Sequence, residues 1–263
     1  MKPILIGDSG VDNLFKDRPE KVSISFDTTR CAAAADVKVF VQLEPPIIKD
    51  IRLELLENSP QFDIILAWHP QILERLPRAQ KFVYGTTWID LDTFKSDKQN
   101  EISFLMSNKN ITMGHSIRHH LYKGLHQLSH IYDFSFVCLK TPPRIPKKDV
   151  IFEKAKFSII IENDKIPNLI TEKLIDCLVT RTVPIYWGAP NVGEFFDERG
   201  IISFDTIENF IKILDTLTPQ LYDSLEDVIE KNYQLSFKYH DFHGRIDDII
   251  DTYIETNGPF ISD

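Results

Sequence analysis

The sequence predicts an α/β protein with two Rossmann-like domains that face each other across a cleft. Three observations lead to this fold class. Short runs that are almost wholly apolar recur along the chain, and such runs are typical of strands buried on both faces of a parallel sheet. Stretches with helical periodicity separate many of these runs, which is the βαβ pattern. A polar segment, residues 92–101, separates two series of such runs and predicts a linker.

The first series of elements fills a predicted N-terminal domain, residues 1–95. Apolar residues at four-residue spacing predict a helix over residues 47–56. The sequence GDSG predicts a turn at residues 7–10. The predicted strands of this domain are Pro3–Gly7, Val22–Phe26, Val37–Leu43, Asp63–Trp68 and Lys81–Gly85.

The second series fills a predicted C-terminal domain, residues 96–240, which a helical tail, residues 241–263, follows. Apolar residues on one face predict a helix over residues 116–129. Further helices are predicted over residues 171–180 and 207–217, and the tail from Leu221 to Ile254 is predicted to be largely helical. The predicted strands are Ile102–Met106, Phe134–Leu139, Phe157–Ile161, Val183–Trp187 and Ile201–Phe204.

Composition and charge disfavour several classes of protein. The chain has 263 residues, of which 43% are hydrophobic and 26% charged, as in ordinary globular proteins. The net charge of −9 repels phosphate backbones, so we expect no nucleic-acid partner. Its three cysteines are too widely spaced for a disulfide framework or a CxxC metal motif. Without a signal-peptide pattern or a long apolar run, we expect a cytoplasmic protein with no membrane span.

Polar side chains follow several predicted strands, and ligands in Rossmann-like sheets bind at the carboxyl ends of strands. Glu44 precedes two prolines and could act as a general base, or it could be an acidic loop residue. Ser107 and Asn108 follow another strand, either as site residues or as turn formers. Arg118, in the next helix, could hold a diphosphate with its planar guanidinium or could be solvated.

A third strand end combines several candidates. Glu162 and Asn163 follow the strand, and Thr171 is a reasonable N-cap for the next helix. Glu172 and Lys173 then occupy its first turn, where the helix dipole favours an anion. A lysine there is better explained by a bound anion nearby, although a solvated first turn is the alternative.

The next strand ends in Tyr186, Trp187 and Gly188. The glycine permits a close approach of the backbone to a ligand, and the two aromatic rings could line a sugar or base site. Both rings could equally belong to the core.

Taken together, three segments resemble the motif of glycosyltransferase family 10, the α-1,3/1,4-fucosyltransferases, which runs FEN…YxTEK…TxPIYWGxP. The matching segments are residues 161–163, 170–174 and 182–190, in the same order and spacing. Phe204-Asp205, Ser107-Asn108 and Arg118 fit further elements of the family, with a longer spacing from Asn108 to Arg118 than in bacterial members. The segments FVQLEPP and FVYG extend a weaker resemblance, so that it covers residues 37–245.

The resemblance implies a short soluble family member of bacterial or viral type with a GT-B fold. The C-terminal domain would hold GDP-fucose, and the N-terminal domain would bind an oligosaccharide acceptor. Fucose would be transferred with inversion and without a cofactor or metal. The implied roles are Glu44 as the base, Arg118 and Lys173 on the diphosphate, Glu172 on the ribose or sugar, and Ser107, Asn108, Glu162 and Asn163 in the donor site.

One position departs from the family. Bacterial members have a tyrosine two residues before the threonine of TEK, and this chain has Leu169. One donor contact is therefore lost or supplied elsewhere.

Four alternatives stay open at this point. The same fold could use another nucleotide sugar, or the chain could bind nucleotide sugars or glycans without catalysis. The triplet Asp90-Leu91-Asp92 could hold a divalent cation, as in metal-dependent transferases. The pairs His115/His119 and His126/His130, each four residues apart, could belong to a zinc or histidine-based hydrolase, although no HExxH motif accompanies them.

Overall fold

A computed structural model describes residues 1–7, 15–131, 133–141 and 147–258 and divides the chain into two compact units. The first unit comprises Met1–Tyr84 and Asp241–Asp263, and the second comprises Gly85–His240. The units differ from the predicted domain ranges in two places. The boundary falls at residues 84/85 instead of 95/96, and the predicted tail groups with the first unit. Most of the turn predicted at residues 7–10 lies outside the described residues.

The described residues of the first unit form five parallel strands that lie side by side in chain order. They are β1 (Ile4–Ile6), β2 (Val22–Phe26), β3 (Val37–Val41), β4 (Ile64–Ala67) and β5 (Gln80–Lys81). Helix α1 (Arg52–Asn58) and the 3₁₀ turn after it (Ser59–Gln61) connect β3 to β4, and α2 (Pro70–Arg75) connects β4 to β5. The helix predicted from Ile47 begins later, because the N–H groups of Ile48 and Lys49 both bond to the carbonyl of Pro45 in a turn.

In the second unit, the residues that the structure describes form a six-stranded sheet. Its strands are β6 (Gln99–Ser107), β7 (His130–Ile131), β8 (Phe134–Thr141), β9 (Ala155–Ile161), β10 (Val183–Trp187) and β11 (Ile202–Ser203). Its helices are α3 (Met113–Leu125), α4 (Asp149–Phe152), α5 (Glu172–Val179), α6 (Ile207–Leu214), α7 (Pro219–Ser224) and α8 (Glu226–Ser236), with 3₁₀ turns at Val192–Glu194 and Glu198–Gly200. Only β7 pairs antiparallel among the described strands, and the sheet order is β11-β10-β9-β6-β8-β7.

The last helix, α9 (Phe242–Asn257), completes the first unit. Alternate residues of a strand point to opposite faces of its sheet. One face of β2, β3 and β4 packs against Phe242, Ile246 and Ile250 of α9. The other face presents Phe40, Ile65 and Ala67 to the apolar residues of α1 and α2. This sheet is therefore covered on both faces, as its apolar strands predict.

The strand order of the second unit reverses once. From β6 the chain passes to β8 on one side and then crosses to β9, β10 and β11 on the other side. Strands β6 and β9 are therefore neighbours whose following segments leave in opposite directions. In open α/β sheets, ligands bind at the carboxyl ends of strands at such a switch point. The described strands of the first unit run in simple chain order and show no such reversal.

Candidate functional site

The residues predicted after β6 and β9 lie at the carboxyl ends of these strands, at the switch point. Ser107 is the last residue of β6, and its hydroxyl accepts the N–H of Lys109 at 3.3 Å. The exposed Asn108 donates its N–H to the carbonyl of Thr141 at 3.1 Å. Glu162 and Asn163 follow β9 directly. The predicted strand-end residues of the second unit are thus brought to one edge of its sheet.

Arg118 is fixed against the end of β9 and is only 6% exposed. Its Nε and Nη2 atoms donate to the carbonyl oxygen of Ile161 at 3.2 and 3.0 Å, and Nη2 also donates to Oδ1 of Asn163 at 2.8 Å. These bonds hold the planar guanidinium in one orientation, so the alternative of a solvated arginine does not hold. A preorganised guanidinium suits recognition of a phosphate.

The N-terminus of α3 packs tightly against the segment after β9. Thr112 caps the helix by accepting the N–H of His115, whose ring nitrogen Nδ1 accepts the N–H of Thr112. Gly114 donates its N–H to the carbonyl of Asn163 at 3.1 Å. A Cβ atom at Gly114 would collide with the carbonyl oxygen of Glu162. This position therefore requires glycine for the two segments to meet.

The side chain of Glu162 ties β9 to the start of α5. It is fully buried, and its two oxygens accept the N–H of Thr171 at 3.1 Å and the hydroxyl of Thr171 at 2.7 Å. Nζ of Lys173 lies 3.6 Å from the same carboxylate. Burial raises the pKa of Glu162, and the ammonium group of Lys173 opposes this rise. Glu162 therefore supports the helix terminus and Lys173.

Glu172 and Lys173 form a close pair in the first turn of α5. Nζ of Lys173 lies 3.1 Å from Oε1 of Glu172, and Nζ of Lys148 lies 4.0 Å from the same oxygen. Burial favours the neutral acid, but the two ammonium groups outweigh it and hold the pKa of Glu172 at about 2. Burial also disfavours the charge on Lys173, yet the carboxylates of Glu172 and Glu162 outweigh that effect and raise its pKa. Both side chains are therefore charged at neutral pH.

A second carboxylate of α5, Asp176, is fully buried and joins the helix to the segment after residue 85. Its Oδ1 accepts the hydroxyl of Thr87 at 2.8 Å and the N–H of Trp88 at 2.7 Å. Its Oδ2 accepts Nζ of Lys148 at 2.9 Å. The ammonium group of Lys148 also lies 4.2 Å from the centre of the exposed Trp88 ring. This network brings a second lysine, Lys148, to the N-terminal part of α5.

The predicted substrate-lining residues of β10 lie in the interior of the unit. Tyr186 is 1% exposed, and its hydroxyl oxygen accepts the N–H of Ala189 at 3.0 Å. Trp187 belongs to the hydrophobic core. A Cβ atom at Gly188 would lie 2.7 Å from Cγ of Glu162 and would also collide with the hydroxyl of Tyr186. The structure thus places both rings as core side chains, one of the two alternatives left open, and gives Gly188 a packing role beside Glu162.

Leu169, where bacterial family members have tyrosine, is also buried, with 1% exposure. Asn168 beside it has a left-handed backbone (φ 68°) and exchanges hydrogen bonds with the side chain of Asn191. No phenol hydroxyl is supplied at residue 169.

Glu44 belongs to the first unit, and the other predicted site residues belong to the second. It lies in the loop after β3 and is partly buried. Its main-chain N–H donates to Oδ2 of Asp27 at 2.9 Å. Its role as a base stays a prediction.

The residues behind the metal and zinc alternatives have other contacts. Asp90 forms an ion pair with Lys147 at 3.7 Å. The ring of His119 contacts the carbonyl oxygen of Lys109 at 2.9 Å, and the ring of His126 stacks on Tyr122. Burial lowers the pKa of His115 to about 4, and the nearby Arg118 adds to this effect. Within the described residues, no three His, Cys, Asp or Glu side chains are grouped so that they could hold a metal ion.

Sequence reasoning missed several residues of these networks, among them Gly114, Lys148, Asp176 and Asp27. Asp176 is a charged residue on the buried side of an apolar helix, and this mismatch was a signal in the sequence. Lys148 follows a segment without periodic pattern, and nothing local indicates that it reaches α5.

A family profile described as glycosyltransferase family 10 (fucosyltransferase), C-terminal, matches residues 79–244. The chain belongs to glycosyltransferase family 10. An alpha-(1,3)-fucosyltransferase of Helicobacter pylori is 28% identical over 118 residues, which are 45% of this chain and 24% of that protein. The chain thus spans about a quarter of the length of the curated relative it matches.

Several solved structures have a similar fold. An α1,3-fucosyltransferase structure with GDP has a TM-score of 0.55 at 17% identity and covers 98% of this chain and 92% of its own. The structure with GDP-fucose has a TM-score of 0.54 at 15% identity and covers 100% and 93%. TarM has a TM-score of 0.54 at 9% identity and covers 91% and 56%. At these identities the likeness shows the fold.

These findings confirm the family and the α/β, GT-B-like fold class that the sequence predicts, and they place this chain among the glycosyltransferases. None of the helices in the described part of this family 10 chain is both long and apolar enough to cross a bilayer.

Proposed function

We propose that this family 10 chain transfers fucose from GDP-fucose to a hydroxyl group of an oligosaccharide acceptor, with inversion at the anomeric carbon. One observation carries the proposal. Two cations lie beside the switch point of the second unit's sheet, the buried Arg118 and the half-buried Lys173, with Lys173 in the first turn of α5. A helix N-terminus and converging cations form a binding site for a diphosphate.

The donor is inferred from the family and its solved structures. The family is named for fucosyl transfer, and two of the similar α1,3-fucosyltransferase structures contain GDP and GDP-fucose. Asn163 and Glu172 would line the donor site, with the Glu172 carboxylate accepting a hydroxyl of the ribose or the sugar. The low pKa of Glu172 keeps it ionised as an acceptor at neutral pH.

The chemical step would be a single displacement. The acceptor oxygen attacks the anomeric carbon of fucose while Glu44 takes the proton of that hydroxyl. The bond from the anomeric carbon to the diphosphate oxygen breaks, and GDP leaves with the electron pair. Arg118 and Lys173 would stabilise the negative charge that grows on the diphosphate in the transition state.

The first test is a thermal-shift series with GDP, GDP-fucose, GDP-mannose and a UDP-sugar, with and without EDTA. A ligand that binds only the folded protein raises its melting temperature by mass action. We expect GDP and GDP-fucose to stabilise the protein, EDTA to leave this effect unchanged, and the UDP-sugar to do nothing. Stabilisation by a different nucleotide sugar alone would contradict the donor, and loss of binding in EDTA would favour a metal-dependent site.

The second test is transfer of fucose by Glu44→Gln. General base catalysis contributes roughly 10²–10⁴-fold to a rate, so transfer should fall by that order while GDP binding persists. The matched control is Glu57→Gln, an exposed glutamate of the same unit, which should transfer normally. Turnover by Glu44→Gln at the wild-type rate would show that another group is the base. Donor binding without transfer to any acceptor in the unaltered protein would favour a binding protein.

A further inference from the structure

Asp27 combines three features that are unusual for a loop residue. It follows β2 directly, is 5% exposed, and has a left-handed backbone with φ 47°, which is uncommon for any residue other than glycine. Its carboxylate accepts two consecutive main-chain N–H groups, those of Leu43 at 2.8 Å and Glu44 at 2.9 Å. One side chain thus fixes the main chain at the predicted base.

The same segment is held from the strand on its other side. The indole N–H of Trp68, a fully buried residue at the end of β4, donates to the carbonyl of Leu43 at 3.2 Å. The side-chain oxygen of Gln42 accepts the N–H groups of Trp68 and His69 at 3.3 and 3.0 Å. Residues 42–44 are therefore braced from both β2 and β4.

The charge on Asp27 is unfavourable for stability. Burial raises its pKa to about 6, the two N–H groups oppose that rise, and the nearby carboxylate of Glu44 adds to it while Lys49 opposes it. An asparagine would tolerate the same backbone without placing a buried carboxylate near Glu44. Strained backbone and destabilised charge kept together are typical of functional sites.

We propose that Asp27 is a positioning residue for the reaction, whose carboxylate holds the main chain at Glu44 so that the Glu44 side chain is aimed at the acceptor hydroxyl. This inference rests on the proposed role of Glu44. Asp27 touches neither substrate and acts only through Glu44.

The test is Asp27→Asn, which keeps one acceptor oxygen and tolerates the left-handed backbone but loses the second acceptor and the charge. A small misplacement of a catalytic group lowers a rate by as much as about 10²-fold, so we expect kcat to fall roughly 10- to 100-fold. KM for GDP-fucose and the affinity for GDP should stay unchanged. The matched control is Asp36→Asn. In the unaltered protein, the Asp36 carboxylate accepts the N–H of Lys21 at 2.7 Å, at the opposite ends of the same two strands. The kcat of Asp36→Asn should match that of the unaltered protein.

A double variant separates positioning from a general structural effect. If Asp27 acts through Glu44, Asp27→Asn should lower the rate of the unaltered protein but should add nothing to Glu44→Gln. An equal fold-loss in both backgrounds, or a loss shared by Asp36→Asn, would overturn the inference. If Asp27→Asn does not fold, as judged by its melting transition, Trp68→Phe replaces it, because it removes the brace to Leu43 from the other side and should show the same dependence on Glu44.

The two proposals fail in different ways. Normal transfer by Glu44→Gln removes the proposed base and with it this inference. Loss of transfer by Glu44→Gln together with normal kcat in Asp27→Asn leaves the proposed function intact and removes only the positioning role.

Discussion

Replacing Lys173 with methionine tests the charged cluster at the start of α5. Methionine keeps the length and the apolar stem of lysine but removes the ammonium group. That group lies 3.1 Å from a carboxylate oxygen of Glu172 and 3.6 Å from one of Glu162. The Lys173 side chain is 25% exposed, whereas those of Glu172 and Glu162 are 12% and 0% exposed. Two largely buried carboxylates would thus lose their closest cation.

The expected magnitude follows from this burial. Removing one partner of a buried ion pair destabilises a protein by about 3–5 kcal/mol, and the partial exposure of Lys173 places the expected loss near the lower limit, about 3 kcal/mol. A charge-assisted hydrogen bond to a diphosphate contributes about 1.5–3 kcal/mol. Because about 1.4 kcal/mol corresponds to a tenfold change in affinity, the Kd for GDP should rise roughly 10- to 100-fold.

Two assays separate these effects. Urea unfolding gives the change in the free energy of unfolding, and calorimetric titration gives the Kd for GDP. The matched control is Lys156→Met in the same unit, because Nζ of Lys156 lies 3.1 Å from Asp223 and its side chain is 12% exposed. This control should leave GDP affinity unchanged. The double variant Lys173→Met with Glu172→Gln should recover part of the lost stability, because it removes one of the two uncompensated charges.

A wild-type Kd for GDP in Lys173→Met would show that the ammonium group does not contact the diphosphate. A free energy of unfolding that matches the unaltered protein would show that solvent, and not Lys173, neutralises the carboxylates. No recovery in the double variant would locate the instability elsewhere.

Two further predictions concern the same unit. Gly114→Ala should destabilise the protein by about 1–3 kcal/mol and should weaken GDP binding, because the new Cβ atom would push α3 and Arg118 away from Glu162. The control is Gly124→Ala, since Gly124 is exposed and has open space around it. Equal effects at both positions would contradict a specific collision at Gly114. The pKa of Glu172 is lowered from 4.5 to about 2 in the folded protein. The ionised carboxylate therefore contributes roughly 3 kcal/mol to stability above its unfolded pKa, and this contribution is lost as the pH falls from the unfolded to the folded pKa. Urea unfolding from pH 6 to pH 3 should therefore show a shallower loss of stability in Glu172→Gln than in the unaltered protein, whereas parallel curves would refute the low pKa. Glu162, whose pKa burial raises, acts in the opposite direction in both proteins, and less strongly in Glu172→Gln because the Glu172 carboxylate adds to that rise.

Local sequence patterns predicted the elements around the site well. The strand over Val183–Trp187 has the predicted bounds, and the helix predicted over residues 171–180 is found at Glu172–Val179 with Thr171 as its cap. Both features are local, because a buried strand needs only a short apolar run and a helix cap needs only one polar side chain at the helix start. The positions of Arg118 and Lys173 in the helices that follow β6 and β9 depend on these same elements.

Contacts between distant segments were not predictable from such patterns. Helix α3 begins at Met113, earlier than expected, because its capping box uses His115 at a position where glutamate or glutamine is the usual signal. The amphipathic pattern of α9 predicts that one of its faces is buried but not which sheet covers it. The hydrogen bond that the N–H of Glu44 donates to Asp27 joins two strand ends, and no local property of Asp27 indicates its partner.

The first unit is assembled from two stretches of chain that the whole second unit separates. Helix α9 supplies Phe242, Ile246 and Ile250 to a shared core, and Asp247 forms a buried ion pair with Arg18. During synthesis, the early strands therefore leave the ribosome with one apolar face of their sheet uncovered. At usual elongation rates, residues 85–240 take roughly 10–30 s to follow. The contiguous second unit can close in that interval, whereas one apolar face of β2–β4 stays uncovered until α9 has been synthesised.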